Sequence, residues 1–183
     1  MERYSVFLTP ARNDFDHTAG IIRELCAKYG GEPFEPHLTV HSGDLADPDR
    51  LKRVVSGAAS ETAPFSLRIR RVARGESFFR ALYFEFEENS ELHLLRERIL
   101  TGTGIESTGN FVPHLSLLYG NMSLHRKQAS AGRVIPGRAE IFFDEIKIVS
   151  PRNRQEGWRD TGQWQTLFSL RLGNQPIISS EQP

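Results

Sequence analysis

A five-residue pattern of proline, histidine, leucine, a hydroxyl residue and an apolar residue occurs twice in this chain. The two copies are Pro36-His37-Leu38-Thr39-Val40 and Pro113-His114-Leu115-Ser116-Leu117. From the composition, two copies by chance are expected on the order of once in 10⁵ such sequences. The repeat therefore indicates an internal duplication, and it constrains the fold to two related halves that each contribute one histidine.

Each copy has the alternation of a β-strand, in which side chains two positions apart point the same way. His37 and Thr39 therefore share one face of their strand, and His114 and Ser116 share one face of theirs. The leucine of each copy points to the opposite face, where it can anchor the strand in a core. If the duplication brings the two strands side by side, two imidazoles and two hydroxyls face one cleft.

The order of the predicted elements favours an α+β fold. Helices alternate with single strands and with pairs of strands, which is typical of antiparallel sheets rather than of a doubly wound parallel sheet. We therefore expect a single bilobal domain over residues 1–183, with pseudo-two-fold duplicated antiparallel sheets that are flanked by helices around a central cleft. Within it we expect a helix capped by Asp14 or Asp16, a continuous strand over 78–86 and a flexible tail over 173–183.

Composition narrows the class of ligand. Lys plus Arg and Asp plus Glu both number 23, so the net charge is zero, whereas a large nucleic-acid footprint normally needs a clustered basic excess. A small anionic substrate is compatible with this balance. The single cysteine, Cys26, excludes an intrachain disulfide, and no apolar run approaches the roughly 18 residues of a membrane helix. We expect a cytoplasmic monomer that makes no membrane contact.

Paired histidines and hydroxyls suit the opening of a cyclic phosphodiester. That reaction needs a base to activate water and an acid to protonate the leaving alkoxide, and histidine performs either task near neutral pH. The hydroxyls of Thr39 and Ser116 can donate to the phosphoryl oxygens, where charge must be held. No carboxylate pair or cysteine has the spacing to complete a metal site with His37, His41 and His114, so we expect no metal and no cofactor.

The two motifs, together with Ser77-Phe78-Phe79-Arg80 and the spacing between the histidines, resemble the two-histidine phosphoesterase superfamily. Within it the sequence is similar to the cyclic phosphodiesterases of plant and yeast type. The resemblance implies hydrolysis of ADP-ribose 1″,2″-cyclic phosphate to ADP-ribose 1″-phosphate, and of nucleoside 2′,3′-cyclic phosphates to 2′-phosphates. The partner it implies is a small-molecule cyclic phosphate substrate.

The same resemblance assigns roles to individual residues. His37 and His114 match the catalytic pair, and Thr39 and Ser116 match the hydroxyls that bind the phosphate. Three aromatic residues match positions that bind substrate along the cleft of the family: Phe7, which stands where plant members carry tryptophan, Phe79 and Tyr119.

Tyr119 needs a local departure from strand geometry. Strict alternation puts its side chain on the face opposite His114. The strand must therefore twist or end near Leu118 to bring this ring into the cleft, and Gly120 permits such a change.

Two other functions are compatible with the motifs. An RNA 2′,3′-cyclic phosphodiesterase of the ligase-like branch would act on RNA ends, and we expect such a protein to carry a longer basic track than Arg68, Arg70, Arg71 and Arg74. This cluster alternates with apolar residues, which is typical of a solvated strand face or of a rim that attracts a diphosphate. A non-catalytic module could bind nucleotides in the same cleft, although intact histidines and hydroxyls argue against it.

Overall fold

The computed structural model describes residues 2–45, 47–105, 110–151 and 164–173. The predicted α+β class is confirmed. Of the predicted tail, residues 174–183 lie outside the described part of the chain. Within the described ranges, four helices and seven strands follow one another in this order: β1 (Glu2–Pro10), α1 (Arg12–Tyr29), β2 (Leu38–Leu45), α2 (Pro48–Ser60), β3 (Phe65–Arg74), β4 (Leu82–Phe86), α3 (Ser90–Thr103), β5 (His114–Leu118), α4 (Leu124–Ala131), β6 (Glu140–Pro151) and β7 (Trp164–Arg171).

The strands form one antiparallel sheet in the order β1-β2-β5-β4-β3-β6-β7, and β1 also pairs with β6. Six of the strands therefore close into a ring, to which β7 is attached through β6. Strand β6 closes the ring because it is long: residues 140–143 pair with β3, and residues 143–149 pair with β1. The first motif strand thus belongs to one side of the ring with β1, and the second belongs to the other side with β4 and β3.

The two motif strands meet at equivalent positions. Strands β2 and β5 pair antiparallel at Leu38 and Leu115, and both leucine side chains are fully buried. Because side chains alternate along a strand, burial of these leucines turns the preceding histidine and the following hydroxyl of each motif to the other face. The duplication in the sequence therefore corresponds to a local two-fold relation in the sheet.

Apolar side chains on the sheet face that carries these leucines pack against the helices. Val6 of β1 and Leu117 of β5 are fully buried, together with Ile22 of α1 and Leu95 and Ile99 of α3. Helix α1 contacts β1 and β5, while α2 and α3 pack against each other. None of the helices in the described ranges is long and apolar enough to cross a membrane.

The predicted cap of the first helix is wrong. Helix α1 begins at Arg12, after Ala11, and neither predicted aspartate caps it. The carboxylate of Asp14 instead accepts a hydrogen bond from the backbone N–H of Phe142 at 2.9 Å and pairs with Arg138 at 2.7 Å. Asp14 therefore ties the first turn of α1 to β6, which is a long-range role that local sequence does not reveal.

The predicted strand over 78–86 is correct only in its second part. Phe78–Arg80 forms a 3₁₀ turn, and β4 begins at Leu82. The backbone N–H of Gly75 donates to the Arg80 carbonyl at 2.7 Å, and a Cβ at position 75 would lie 2.7 Å from that same oxygen. Since only glycine allows this approach, the chain folds back there and takes Phe79 and Arg80 out of the strand alternation.

Candidate active site

A cavity of about 300 Å³ lies on the sheet face that carries the two motif histidines. It is lined by side chains from β1, β2 and β5, from the 3₁₀ turn and from the beginning of β7. The structure thus brings together residues that are far apart in the sequence. All seven residues that the sequence predicts for the site line this one cavity: Phe7, His37, Thr39, Phe79, His114, Ser116 and Tyr119.

The two histidines are oriented in the same way. The Nδ1–H of His37 donates to the carbonyl oxygen of Glu35 at 2.6 Å, and that of His114 donates to the carbonyl oxygen of Val112 at 2.9 Å. A carbonyl oxygen only accepts, so the proton of each neutral ring is on Nδ1 and Nε2 keeps its lone pair. The Nε2 atoms are therefore the ones that can exchange protons with a ligand.

Aromatic rings enclose His37. Phe7 stacks on the imidazole with 3.7 Å between ring centroids, and Trp164 meets it edge-on at 5.4 Å. Burial is the main cause that lowers the pKa of His37 to about 4; the charges of His114 and Lys147 also lower it, while the bond to the Glu35 carbonyl opposes the shift. His37 is therefore neutral at pH 7 in the free protein and can accept a proton on Nε2.

An ion pair holds the segment that orients His37. Lys147 lies opposite Phe7 in the pairing of β1 with β6. Its ammonium group pairs with the carboxylate of Glu35 and lies 3.5 Å from that of Glu145. Because Glu35 also provides the carbonyl that accepts from Nδ1 of His37, this ion pair links β6 to the orientation of the imidazole.

His114 has a different electrostatic environment. It lies opposite Glu85 in the pairing of β4 with β5, and the Glu85 carboxylate accepts from Arg71 at 2.8 Å. Burial lowers the pKa of His114, as does the charge of Arg80, whereas Glu85 raises it. A carboxylate thus favours the protonated form of His114, while the charges that act on His37 both disfavour protonation.

The two hydroxyls of the motifs differ in their present hydrogen bonds. The Ser116 hydroxyl donates to the carbonyl oxygen of Phe79 at 2.7 Å. Thr39 lies opposite Phe7 in the pairing of β1 with β2, and its hydroxyl has no protein partner within the described ranges. Thr39 can therefore donate to a ligand directly, while Ser116 must first rotate away from the Phe79 carbonyl.

Tyr119 reaches the cavity because β5 ends one residue earlier, at Leu118. The following residue, Gly120, has a φ of 144°, which glycine adopts without strain. The Tyr119 ring stacks on Phe34 with 3.8 Å between centroids, and its hydroxyl donates a long hydrogen bond to Nε2 of His37 at 3.4 Å. Burial raises the pKa of Tyr119, so the phenol stays a neutral donor.

The cavity is also lined by five residues to which the sequence assigned no role in the site: Ser5, Ser42, Ser77, Arg80 and Trp164. The hydroxyls of Ser5 and Ser42 lie 2.5 Å apart, between β1 and β2. Trp164 packs beside Phe7 with 5.3 Å between ring centroids. Arg80 directly follows Phe79 in a segment that resembles the two-histidine phosphoesterases, and this position was the signal in the sequence that could have indicated Arg80.

Some of the histidines and basic residues outside the motifs have partners away from the cavity. His41 packs beside Tyr4 with 5.7 Å between ring centroids, and His93 pairs with the carboxylate of Glu88. Arg71, from the basic cluster of the sequence, pairs with Glu85. Within the described part of the chain, no group of three or more His, Cys, Asp or Glu side chains is arranged to hold a metal ion.

Comparison with known proteins identifies the fold and the family of this chain. A cyclic phosphodiesterase from Arabidopsis thaliana is 24% identical over 125 residues, which cover 68% of this chain and 69% of the relative. The crystal structure of E. coli LigT complexed with 3′-AMP matches with a TM-score of 0.60 at 12% identity, over 94% of this chain and 99% of that one. A structure from Thermus thermophilus matches with a TM-score of 0.62 at 14% identity, over 95% of this chain and 100% of that one. The sequence model of the 2′-5′ RNA ligase superfamily matches residues 23–140, which is more than half of the chain, and the chain therefore belongs to this superfamily.

Proposed function

We propose that this protein is a metal-independent cyclic phosphodiesterase whose two histidines act as general acid and general base. The observation that carries the proposal is that His37 and His114 have the same orientation and tautomer and line the same cavity. Each ring donates from Nδ1 to a backbone carbonyl two residues earlier, and both rings line one cavity with Thr39 and Ser116. Two Nε2 atoms and two hydroxyls are the groups that an in-line displacement at phosphorus needs.

The reaction follows from these groups. The neutral Nε2 of one histidine takes a proton from water as the water oxygen forms a bond to phosphorus. The bond from phosphorus to one ring oxygen breaks, and the protonated Nε2 of the other histidine donates a proton to that oxygen. Thr39 and Ser116 donate to the non-bridging oxygens, whose charge grows in the transition state. The proton taken from water by one histidine and the proton given to the ring oxygen by the other balance the step. Strain in a five-membered cyclic phosphate lowers the barrier, so the reaction needs no metal ion.

The substrates that we propose are small: ADP-ribose 1″,2″-cyclic phosphate and nucleoside 2′,3′-cyclic phosphates. Three observations support a small ligand. The cavity volume of about 300 Å³ is at the lower end of ligand pockets, the net charge is zero, and the relative from Arabidopsis thaliana is named a cyclic phosphodiesterase. Aromatic rings of Phe79, Trp164 and Tyr119 line the cavity and offer apolar surface to a sugar or base.

A product assay tests the proposal. The protein is incubated with ADP-ribose 1″,2″-cyclic phosphate, with the four nucleoside 2′,3′-cyclic phosphates and with an RNA that ends in a 2′,3′-cyclic phosphate, all in the presence of a chelator. Phosphorus NMR follows the loss of the cyclic phosphate and identifies the phosphomonoester. Opening of the small substrates supports the proposal, and opening of the RNA end alone supports the ligase-like alternative. Binding without any product supports a non-catalytic nucleotide-binding module.

A further inference from the structure

The cavity contains one permanently charged side chain. Among the described residues that line it, Arg80 is the only arginine or lysine, and none is acidic. Two other cations near the site have carboxylate partners: Lys147 pairs with Glu35, and Arg71 pairs with Glu85. Arg80 has no carboxylate partner within the described ranges, so its guanidinium donors are available to an anionic ligand.

Aromatic packing places this guanidinium on the side of His114. The guanidinium carbon of Arg80 lies over the ring of Tyr83, 5.6 Å from its centroid. The Tyr83 ring meets the imidazole of His114 edge-on, with 5.4 Å between centroids. In agreement with this order, the charge of Arg80 contributes to the lowered pKa of His114, whereas the charges that lower the pKa of His37 are those of His114 and Lys147. Arg80 therefore approaches the site from the side of His114, with the Tyr83 ring between them, and is not among the charges that act on His37.

The backbone beneath Arg80 is fixed. The N–H of Gly75 donates to the Arg80 carbonyl at 2.7 Å, and the ammonium group of Lys127 donates to the Gly75 carbonyl at 2.7 Å. The backbone approaches closely at Gly75, where a Cβ would lie 2.7 Å from the Arg80 oxygen. This contact holds the 3₁₀ turn against the residue that follows β3. Because the backbone is held, the position of the guanidinium depends on its own side-chain torsions and on the Tyr83 ring.

We propose that Arg80 binds a second phosphate of the substrate, one that is not cleaved, so that the enzyme prefers cyclic phosphates that carry a further phosphate or diphosphate group. The inference rests on the proposed cyclic phosphodiesterase activity and adds a specificity to it. A guanidinium presents paired donors that match two phosphate oxygens, and stacking on an aromatic ring limits its motion. The Ser77 hydroxyl, which lines the same cavity, is a further donor from the segment that leads into this turn.

Two ligands that differ by one phosphate test the proposal. Adenosine 2′-monophosphate and adenosine 2′,5′-bisphosphate are titrated calorimetrically into the wild-type protein and the variants Arg80→Gln and Arg80→Lys. We expect the wild type to bind the bisphosphate about 10- to 100-fold more tightly, as a charged hydrogen-bonded pair provides. The Gln variant should bring this ratio close to one, and the Lys variant should keep part of it, because a point charge replaces the paired donors.

Arg74→Gln is the matched control, because Arg74 is an exposed cation on β3 that does not line the cavity. It should keep the wild-type ratio. The proposal is overturned if the wild type binds the two ligands equally, if Arg80→Gln weakens both by the same factor, or if Arg74→Gln removes the preference as well. The wild-type and Lys ratios remain decisive if the Gln variant does not fold. Binding is measured without turnover, so a failed hydrolysis assay overturns the proposed function without deciding this ratio.

Discussion

Leu38 and Leu115 face each other where β2 pairs with β5, and each directly follows a histidine that lines the cavity. This pairing puts both imidazoles on the sheet face opposite the core. A slip of either strand by one residue would exchange its two faces and turn its histidine toward the helices. The register at this one pair of leucines therefore determines whether the two histidines share a cavity.

Removal of either imidazole should abolish most of the activity. We expect His37→Ala and His114→Ala each to lower turnover of a 2′,3′-cyclic nucleotide by about 10²- to 10⁴-fold, because each loses one proton-transfer group. Initial rates from phosphorus NMR, with circular dichroism to verify folding, measure this effect. The double variant should be little worse than either single variant, because the two groups act in one step.

His125→Ala is the control for these two variants, because His125 is exposed on α4 and does not line the cavity. It should keep wild-type turnover. Wild-type rates in both His37→Ala and His114→Ala would contradict the two-histidine mechanism.

Stability should fall at acidic pH because of His37. Burial lowers its pKa from 6.5 to about 4, so between these values the unfolded chain binds a proton that the folded chain does not. The unfolding free energy should therefore decrease as pH falls through this window, by about 3 kcal/mol from this one group. Urea unfolding of the wild type and of His37→Asn, between about pH 7 and pH 4, measures the difference. Parallel pH dependence in the two proteins would contradict this role of His37.

Local patterns in the sequence predict most of the elements and the four motif side chains. Alternation within five residues determines which of His37, Thr39, His114 and Ser116 share a face, and no long-range information is needed for that step. The duplication then indicates that the two strands are equivalent. Their adjacency does not follow from these local patterns; it is a long-range pairing of β2 with β5 at Leu38 and Leu115.

The remaining site residues depend on contacts that local patterns do not contain. Lys147 approaches Glu35 only through the pairing of β6 with β1, and Trp164 is brought to the cavity by β7. Phe78–Arg80 leaves the strand because Gly75 closes a loop beneath it, although the apolar run predicts a strand. The β-strand propensity of such a short apolar run is only weak evidence for a strand, and long-range packing overrides it here.

The ion pair between Lys147 and Glu35 should act through the orientation and the pKa of His37. We expect Lys147→Met to lower kcat by about 10- to 100-fold with a smaller change in KM, because the imidazole loses its fixed position. Removal of this positive charge should also raise the pKa of His37, since Lys147 lowers it. The acidic limb of the pH profile of kcat/KM should move to higher pH accordingly. Lys147→Arg should restore much of kcat, and Lys52→Met, a substitution of a partly exposed lysine on α2, should change neither kcat nor the acidic limb. An unshifted acidic limb in Lys147→Met would contradict this role.

The two hydroxyls should differ in what their removal costs. Thr39→Val keeps the shape of the side chain and removes a donor to the phosphoryl oxygens, so we expect a loss of about 10²- to 10³-fold in kcat with unchanged stability. Ser116→Ala should cause a similar kinetic loss and, in addition, should destabilise the fold by about 1–3 kcal/mol, because the Phe79 carbonyl loses its donor. Urea unfolding and initial rates on the same preparations separate the two effects. Equal stability of the two variants would show that the bond from Ser116 to Phe79 contributes nothing.

The surroundings of the two histidines indicate how the acid and base roles are divided. Glu85 favours the protonated form of His114, while Lys147 disfavours that of His37, so we expect His37 to be the base and His114 the acid. Catechol cyclic phosphate tests this division, because its phenolate leaving group needs little protonation. His114→Ala should lose much less activity on catechol cyclic phosphate than on a 2′,3′-cyclic nucleotide, whereas His37→Ala should lose the same factor on both. Initial rates of the two variants on the two substrates provide the comparison, and the opposite pattern would reverse the assignment.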